Sequence, residues 1–320
     1  MSNKRDFLSL WDVNQSELAA LIRRAEELRF LRQVHTPHAT RPGRVLALVF
    51  EKASTRTRVS FEVAIWELGG HAVVMGRNDS QLGRGEPTKD TARVMSRYCH
   101  AIMVRTFGHE IATELAQYAT VPVINGLTDL LHPCQVLADL QTVYAHFADQ
   151  SKSGADAVPE VLQVLRSVRY AWVGDGNNMA NTWVEAAGLL GLDLMLACPA
   201  AYQPNPSVLE AARRKGQGQI QVVRDPREAV AGRHVISTDV FASMGKEEEV
   251  EARRRAFVGY TVDRALMAGA DGQAIFLHCL PAHRGEEVSD EVIEGPASLV
   301  WQEAENRLHA QKALLEWLLT

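Results

Sequence analysis

Apolar residues recur along the chain in two patterns that alternate with each other. Short runs of β-prone residues are separated by longer segments whose apolar positions have a helical spacing. The predicted strands cover residues 45–50, 71–75, 101–104, 121–124, 168–173, 235–238 and 274–277. This alternation predicts an α/β fold, in which mainly parallel sheets are flanked by helices on both faces.

A stretch of polar and small residues at 149–156 interrupts this pattern near the middle of the chain. Such stretches are typical of domain boundaries, and 320 residues suffice for two domains with a core each. We therefore predict a first α/β domain over residues 1–149 and a second over 150–302. An amphipathic helix is predicted over 303–320.

The composition excludes several classes of protein. With 46% hydrophobic and 23% charged residues the chain has globular values, and its net charge of −5 gives no general attraction to nucleic acid. No apolar run reaches the roughly 18 residues needed to cross a bilayer, and residues 1–6 lead into helical sequence without a signal-peptide core. We expect a cytoplasmic protein whose four scattered cysteines are reduced thiols.

The segment 51–62 lies between a predicted strand and a predicted helix. Ser54 and Thr55 are suitable N-cap residues, and the N–H groups behind them, together with the helix dipole, favour an anion. Arg56 and Arg58 add positive charge and donors that suit phosphate oxygens. An ordinary surface helix is the other interpretation, although cations at a helix N-terminus are mildly unfavourable unless an anion compensates them.

Other segments also allow two interpretations. The turn Gly174-Asp175-Gly176 follows a strand and suggests a dinucleotide site, but Met179 occupies the third glycine position and the next strand lacks the acid that would hold a ribose. A nicotinamide dehydrogenase therefore stays as the second candidate. The charges at 247–255 are predicted to form mostly a solvated helix face. The glycine-containing loop 80–86 is either a surface connection or a ligand loop.

Three further side chains have both a structural and a chemical interpretation. His132, next to a proline, is a structural hydrogen-bonding residue or a catalyst, and Asp239, at the end of a strand, is a turn residue or a ligand group. Cys279 is packing material or a reactive thiol. Its surroundings match no standard zinc spacing, so no metal is predicted there.

The sequence Ser-Thr-Arg-Thr at 54–57, followed by Arg58 and by Ser-Phe-Glu at 60–62, resembles the carbamoyl-phosphate motif of the transcarbamoylases, the family that contains aspartate and ornithine carbamoyltransferases. Arg105, the His-Pro-x-Gln segment at 132–135 and Arg307 match further motifs of that family in the same order. In the central motif, Ala53 stands where relatives often have proline. The resemblance implies that the carbamoyl-phosphate-binding residues are Ser54, Thr55, Arg56, Thr57, Gln81, Arg105, His132, Pro133, Cys134, Gln135, Cys279, Leu280 and Arg307.

The second half resembles the ornithine branch of this family. Asp239 begins an Asp-x-x-x-Ser-Met-Gly motif, and residues 278–282 read His-Cys-Leu-Pro-Ala. The resemblance implies that Asn178, Asp239, Ser243 and Met244 bind ornithine, that the Leu280-Pro281 bond is cis, and that Gln81 reaches the active site of a neighbouring subunit. The implied catalytic residues are Arg56, Arg105, His132, Asp239 and Cys279.

The resemblance covers nearly the whole chain and implies an enzyme of arginine metabolism. It would transfer the carbamoyl group of carbamoyl phosphate to the δ-amino group of L-ornithine, without a cofactor, in a homotrimer or an assembly of trimers. The final helix would pack back on the first domain. A non-enzymatic binding homologue is an alternative of a different class, and carbamoylation of putrescine, N-acetylornithine or N-succinylornithine is an alternative within the enzyme class.

Overall fold

The computed structural model describes residues 4–77, 85–148, 157–241 and 250–319. The chain divides into two compact units. Unit 1 consists of Met1–Gln141 and Glu305–Thr320, and unit 2 of Thr142–Ala304. The division predicted at 149–150 lies a few residues further along, outside the described residues.

Unit 1 is built on a four-stranded parallel sheet with the strand order β2-β1-β3-β4. Its strands are β1 (Val45–Phe50), β2 (His71–Met75), β3 (Ala101–Arg105) and β4 (Val123–Leu127). The helices from this half of the chain are α1 (Gln15–Gln33), α2 (Thr55–Glu67), α3 (Thr88–Tyr98), α4 (His109–Tyr118) and α5 (Pro133–Phe147). The predicted α/β alternation is confirmed, with β4 beginning two residues later than predicted.

Unit 2 contains a five-stranded parallel sheet with the order β7-β6-β5-β8-β9. Its strands are β5 (Arg169–Val173), β6 (Asp193–Ala197), β7 (Gln219–Val223), β8 (Val235–Thr238) and β9 (Ile275–His278). The remaining helices are α6 (Ala157–Ser167), α7 (Asn178–Leu190), α8 (Pro206–Lys215), α9 (Pro226–Val230), α10 (Val250–Ala256), α11 (Arg264–Met267), α12 (Asp290–Ile293) and α13 (Val300–Leu318).

Local sequence explains where several of these helices begin. At α1 the Asn14 side chain accepts from the Glu17 N–H, and the Glu17 carboxylate accepts from the Asn14 N–H, which forms a capping box. Ser54 caps α2 and Asn177 caps α7 through their side-chain oxygens. Strands β1 and β3 are buried almost throughout, as expected for parallel strands covered on both faces.

The strand order places one switch point in each sheet. In unit 1 the chain leaves β1 toward β2 on one side and returns to β3 on the other, so a crevice opens at the carboxyl ends of β1 and β3. In unit 2 the corresponding crevice lies at the carboxyl ends of β5 and β8. Ligands of open α/β sheets bind at such positions.

The C-terminal helix α13 packs on the first unit, as predicted. The fully buried Lys312 ammonium donates to Glu67 at 2.7 Å and to the Leu28 carbonyl at 3.4 Å, and Glu316 accepts from Arg24 at 2.6 Å. Burial lowers the pKa of Lys312, while its hydrogen bond to Glu67 opposes this change. Within the described residues, the helices are all too short or too polar to traverse a bilayer.

Candidate active site

The start of α2 presents an anion-binding helix terminus directly after β1. The Ser54 hydroxyl accepts from the Thr57 N–H at 3.3 Å, and the first turn of the helix carries no acidic residue. Thr55 and Arg56 are exposed, whereas Thr57 is buried. The N–H groups of this turn, the helix dipole and the exposed Arg56 therefore favour an anion, and the turn has no acidic residue of its own.

Two arginines from distant parts of the sequence meet at the Thr57 hydroxyl. Arg105, at the end of β3, donates to Thr57 Oγ1 at 3.5 Å, and Arg307, on α13, donates to the same oxygen at 3.0 Å. The other Arg307 nitrogen donates to Gln135 Oε1 at 2.6 Å, and Gln135 in turn donates to Asp139 at 2.8 Å. The structure thus brings Thr57, Arg105, Gln135 and Arg307 into one buried group, which we call the arginine cluster.

His132 precedes α5 and is 4% exposed. Burial lowers the pKa of His132 well below its usual value, and the positive charges of Arg307 and Arg105 lower it further. The imidazole is therefore neutral at physiological pH and can serve as a hydrogen-bond donor to an oxygen without adding charge. Pro133 begins α5, a position at which the missing N–H of proline costs no helical hydrogen bond.

Cys134 lies in the first turn of α5. Its thiol is buried and donates to the Asn125 carbonyl at 3.3 Å. Burial raises the pKa of this thiol to about 12, so it stays protonated. The side chain is thus used inside the fold, and a ligand contact of Cys134, which remains a prediction, would involve its backbone.

In unit 2 the carboxylate of Asp239 is the centre of a second group. Asp239 follows β8 and is 7% exposed. One of its oxygens accepts from Cys279 Sγ at 3.2 Å and from the Val240 N–H at 2.8 Å, and the other accepts from Asn177 Nδ2 at 2.7 Å. We call Asp239, Cys279 and Asn177 the aspartate cluster. Asn178, the first residue of α7, is half-buried.

The turn after β9 carries Cys279 and has an unusual backbone. The Leu280-Pro281 bond is cis, as predicted, and Leu280 has a positive φ of 57°. Its N–H donates to His278 Nδ1 at 2.9 Å, and the buried His278 has its other ring nitrogen 3.2 Å from Glu287 Oε1. The His278 N–H donates to the buried Glu303 carboxylate at 2.8 Å. These contacts hold the positive φ of Leu280, which is unfavourable for a side chain of this kind, in one conformation.

Some of the predicted positions fall outside the described residues. These are Gln81, Ser243 and Met244. Their predicted roles, including the contact of Gln81 with a neighbouring subunit, remain predictions.

The two glycines at 174–176 serve the fold of unit 2. A Cβ added to Gly176 would lie 2.2 Å from the Gln203 carbonyl carbon, and the Gly176 N–H donates to the Tyr202 carbonyl at 2.8 Å. Gly174 has a φ of 138°, which favours glycine. Close approach of the chain to itself therefore accounts for the Gly-x-Gly pattern without a dinucleotide.

The prediction of a solvated charged face at α10 is wrong for Arg253. Its side chain is 3% exposed and donates to the buried Asp175 carboxylate at 2.7 Å and to the Phe241 carbonyl at 2.7 Å. The guanidinium also lies 4.6 Å from the centre of the Tyr202 ring. Because Asp175 is 78 residues away in the sequence, the local charge pattern could not indicate this ion pair.

Two groups of side chains in unit 2 have atoms arranged for a metal ion. Asp239, His278 and Cys279 form one, and His283, Glu286 and Glu287 form the other, with the ligand atoms of each group within 4.8 Å of one another. The first group shares Asp239 and Cys279 with the aspartate cluster. The second lies beyond the turn and contains one fully buried carboxylate, that of Glu287.

Sequence reasoning missed three residues that support the site. Asn177 orients Asp239, Glu303 fixes the backbone of His278, and Glu287 contacts its ring. The adjacent asparagines after β5 were the available signal for Asn177, since one of them had to cap α7. The two glutamates offered no comparable signal, because isolated acidic residues are usually exposed.

Comparison with known proteins assigns a family model to each half of the chain. Residues 5–145 match the aspartate/ornithine carbamoyltransferase carbamoyl-P binding domain, and residues 166–318 match the aspartate/ornithine carbamoyltransferase Asp/Orn binding domain.

Relatives are similar over nearly their whole length. An ornithine carbamoyltransferase of Pelobacter propionicus is 54% identical, with 98% of each chain covered. An anabolic ornithine carbamoyltransferase of Pseudomonas aeruginosa is 50% identical, with 98% of this chain and 97% of the relative covered. The crystal structure of an anabolic ornithine carbamoyltransferase from Campylobacter jejuni superimposes with a TM-score of 0.88 at 39% identity, with 98% of each chain covered.

Proposed function

Because this chain belongs to the aspartate/ornithine carbamoyltransferase family, we infer that it transfers the carbamoyl group of carbamoyl phosphate to the δ-amino group of L-ornithine. The products are L-citrulline and phosphate, and the reaction belongs to arginine metabolism. The observation that carries this conclusion is that each unit has a cluster suited to its substrate. The unit that matches the carbamoyl-P binding domain has a cationic cluster, and the unit that matches the Asp/Orn binding domain has a carboxylate cluster.

The arginine cluster supports binding of carbamoyl phosphate. The N-terminal turn of α2 would bind the phosphate through Ser54, Thr55, Arg56 and Thr57. Arg105 and Arg307 now donate to the Thr57 hydroxyl and would donate to phosphate oxygens instead when carbamoyl phosphate binds. Neutral His132 would donate to the carbonyl oxygen, and Gln135 would accept from the carbamoyl nitrogen. Gln81 of a neighbouring subunit is proposed to complete these contacts.

The aspartate cluster supports binding of ornithine. Its carboxylate is already oriented by Asn177 and Cys279 and suits a cationic amino group. We assign Asn178, Asp239, Ser243 and Met244 to the α-amino and carboxylate groups of the substrate. The thiol of Cys279 lies beside Asp239, so both can help to orient the reacting amine.

Transfer begins when the neutral δ-amino nitrogen attacks the carbamoyl carbon. The bond from that carbon to the phosphate oxygen then breaks, and the leaving phosphate takes the proton that the amine loses. Arg56, Arg105 and His132 stabilise the negative charge that develops on the carbonyl oxygen. An alkylamine with a pKa of about 10.4 is mostly protonated at neutral pH, so the contact with Asp239 and Cys279 serves to present its free form.

A substrate comparison tests this function. Purified protein is incubated with carbamoyl phosphate and one amine in each reaction. The amines are ornithine, putrescine, N-acetylornithine, N-succinylornithine and aspartate, and carbamoylated product and phosphate are measured. We expect a clear preference for ornithine with equal amounts of citrulline and phosphate. Preference for another amine would leave the carbamoyl-phosphate assignment and remove the ornithine assignment. Absence of turnover with all five would favour a binding homologue.

We also propose a homotrimer, or an assembly of trimers, with shared active sites. Support comes from β2, which lies at the edge of the unit 1 sheet, and from two large apolar side chains that are exposed in the single chain, Trp66 at 73% and Tyr98 at 71%. Covering an open strand edge and exposed aromatic rings is a common use of a subunit interface.

Subunit mixing tests this assembly. Chains with Arg105→Ala and chains with Gln81→Ala are each expected to be nearly inactive, and a denatured and refolded mixture is expected to recover activity because some sites then contain both intact residues. Mixing Arg105→Ala with His132→Ala is the control. One subunit supplies both Arg105 and His132 to a site, so every site in this mixture lacks one of them and no activity is recovered. Recovery in the control, or its absence in the first mixture, would contradict shared sites.

A cytoplasmic location is the last part of this proposal. Its support is that none of the four cysteines, all of which the structure describes, forms a disulfide bond, and that Cys279 is the most accessible of them. Fractionation of the producing cells, with an antibody against the chain, would place the protein with cytoplasmic markers if the proposal is right and with periplasmic or membrane markers if it is wrong.

A further inference from the structure

The buried carboxylate of Glu287 has an incomplete set of partners. The side chain is 0% exposed, and its Oε1 accepts from the His283 N–H at 2.5 Å and faces His278 Nε2 at 3.2 Å. Its Oε2 is buried and has no hydrogen-bond partner. A buried carboxylate with an unused oxygen is costly unless something positive compensates it.

The neighbouring histidine does not supply that charge. His278 Nδ1 accepts from the Leu280 N–H at 2.9 Å, so this nitrogen carries no proton and the ring is neutral. The remaining proton lies on Nε2 and is donated to Glu287. Among the residues that the structure describes, no lysine or arginine forms an ion pair with Glu287. Two arginines are near in sequence but pair elsewhere. Arg254 pairs with Glu286, and Arg284 pairs with Asp290 and Glu294.

Two further ligand groups lie next to this carboxylate. His283 Nδ1 is 3.6 Å from Glu286 Oε2, and one atom each of His283, Glu286 and Glu287 lies within 4.8 Å of the other two. Two ligands of a tetrahedral zinc ion, each about 2.1 Å from the metal, lie roughly 3.4 Å apart. The distance of 3.6 Å between His283 Nδ1 and Glu286 Oε2 is therefore close to the distance between two ligand atoms of one zinc ion.

The backbone of this segment is held in place by its own hydrogen bonds. The Glu286 N–H donates to the His283 carbonyl at 2.9 Å, and the Gly285 N–H donates to the Val288 carbonyl at 2.8 Å. Gly285 has a φ of 86°, which permits the tight turn. Residues 283, 286 and 287 thus project from one ordered turn, and a metal ion would need little rearrangement of the chain.

From these observations we propose that His283, Glu286 and Glu287 bind a first-row divalent cation, of which Zn²⁺ is the best match. One imidazole and two carboxylates are a usual ligand set for such ions, and water completes the coordination because His283 and Glu286 are half exposed. The site is distinct from the aspartate cluster, and it does not depend on the proposed function. Through Glu287 and His278 it is connected to the turn that carries Cys279.

Cobalt titration tests the proposal, because Co²⁺ reports its own ligands. The full-length protein with Cys279→Ser is used as the parent, since the thiol there could bind cobalt and would give a charge-transfer band in the near ultraviolet. We expect one equivalent of Co²⁺ to bind the parent and to produce visible d–d bands without that charge-transfer band. Zn²⁺ should displace the cobalt, whereas Mg²⁺ at the same concentration should not.

Three variants in this parent identify the ligands. His283→Ala and Glu286→Gln, which change half-exposed side chains, should each weaken Co²⁺ binding by about tenfold or more. Glu291→Gln, which removes an exposed carboxylate nearby on α12, should leave the affinity within about twofold of the parent. Circular dichroism and the thermal midpoint confirm that each variant is folded.

Several results would overturn the proposal. They are failure of the parent to bind Co²⁺, unchanged affinity in His283→Ala, an equal loss in Glu291→Gln and Glu286→Gln, or displacement of the cobalt by Mg²⁺. Zinc-edge anomalous diffraction from crystals of the parent gives an independent measurement, in which a peak between the three side chains is expected.

Discussion

The arginine cluster of unit 1 and the aspartate cluster of unit 2 are built at equivalent places with opposite charge. Both lie where the strand order of a parallel sheet reverses. The first gathers the donors of Arg105 and Arg307 around a hydroxyl, and the second gathers the thiol and amide of Cys279 and Asn177 around a carboxylate. The same rule of sheet topology thus places groups of opposite charge in the two units, and the side chains at the strand ends and on the neighbouring helices set the sign.

The clusters also differ in how far along the sequence their members lie. Thr57 and Arg307 are 250 residues apart, whereas Asp239 and Cys279 are 40 apart and follow strands that are adjacent in the sheet. The arginine cluster therefore depends on the docking of α13, and the aspartate cluster depends mainly on its own sheet. Four substitutions, taken from the largest expected effect to the smallest, test this contrast.

Arg105→Ala should have the largest effect. It removes a buried guanidinium from the proposed phosphate site and from its proposed contact with the developing oxyanion, so kcat/KM for carbamoyl phosphate should fall by about a thousandfold or more. Steady-state kinetics and calorimetric binding of carbamoyl phosphate measure this. Arg97→Ala, an exposed arginine at the end of α3, is the control and should change neither. Unchanged binding in a folded Arg105→Ala protein would remove Arg105 from the site.

Asp239→Asn should affect the other substrate. The change keeps the size of the side chain and removes its charge, so kcat/KM for ornithine should fall by roughly a hundredfold, while the dissociation constant of carbamoyl phosphate stays within about twofold. Asp225→Asn, at an exposed acid of the same unit, is the control. If carbamoyl-phosphate binding weakened as much as ornithine use, the two clusters would not have separate roles.

Cys279→Ala should have a smaller effect, because Asp239 keeps its other donors, Asn177 and the Val240 N–H. We expect kcat to fall by about tenfold to a hundredfold and the pH dependence of kcat to change. The buried Cys198 gives the control, since Cys198→Ala removes a thiol from the same unit outside the cluster. An unchanged rate with an unchanged pH profile would show that the Cys279 thiol has no part in presenting the amine.

His309→Gln should affect stability rather than chemistry. Burial, together with Lys312 and nearby arginines, lowers the pKa of His309 to about 3, whereas an unfolded histidine has a pKa of about 6.5. The unfolded state therefore binds the extra proton first, and the stabilisation present above pH 6.5 is lost as the pH falls toward 3. Between pH 7 and pH 5 the parent should lose about 2 kcal/mol more than His309→Gln.

Urea unfolding at the two pH values measures this difference, and hydrogen exchange in α1 and α13 assigns it to unit 1. Equal pH dependence in the parent and in His309→Gln would show that His309 is not held neutral. Because His132 also has a lowered pKa, some acid sensitivity should persist in the variant.

Much of the fold followed from local sequence. The apolar run 45–50 is β1, the Asn14 and Glu17 pair caps α1, and Pro133 begins α5. Each of these signals lies within a few residues of the element it determines. The cis Leu280-Pro281 bond was confirmed as well, although resemblance rather than local physics had implied it.

The parts that escaped prediction depend on long-range contacts. Arg253 belongs to a run of charges that looks solvated, and its partner Asp175 comes from another strand end. The Gly-x-Gly pattern suggested a nucleotide loop at Gly176. The actual reason for a glycine there is the close approach of residues 203–204, which cannot be seen in the sequence. The roles of the predicted site residues are still hypotheses for the experiments above, although the structure brings Thr57, Arg105, Gln135 and Arg307 together, and Asp239 with Cys279.

The late position of α13 has a consequence for synthesis on the ribosome. Arg307 and Lys312 leave the exit tunnel only after residues 142–304 have been made, so the nascent first unit has neither the guanidinium that reaches Thr57 nor the ammonium that reaches Glu67. Unit 2 can complete its sheet while unit 1 still exposes the surface that α13 will cover. A chain stopped by a premature codon just before α13 would contain nearly every residue proposed to bind substrate and would still be a target for chaperones and proteases.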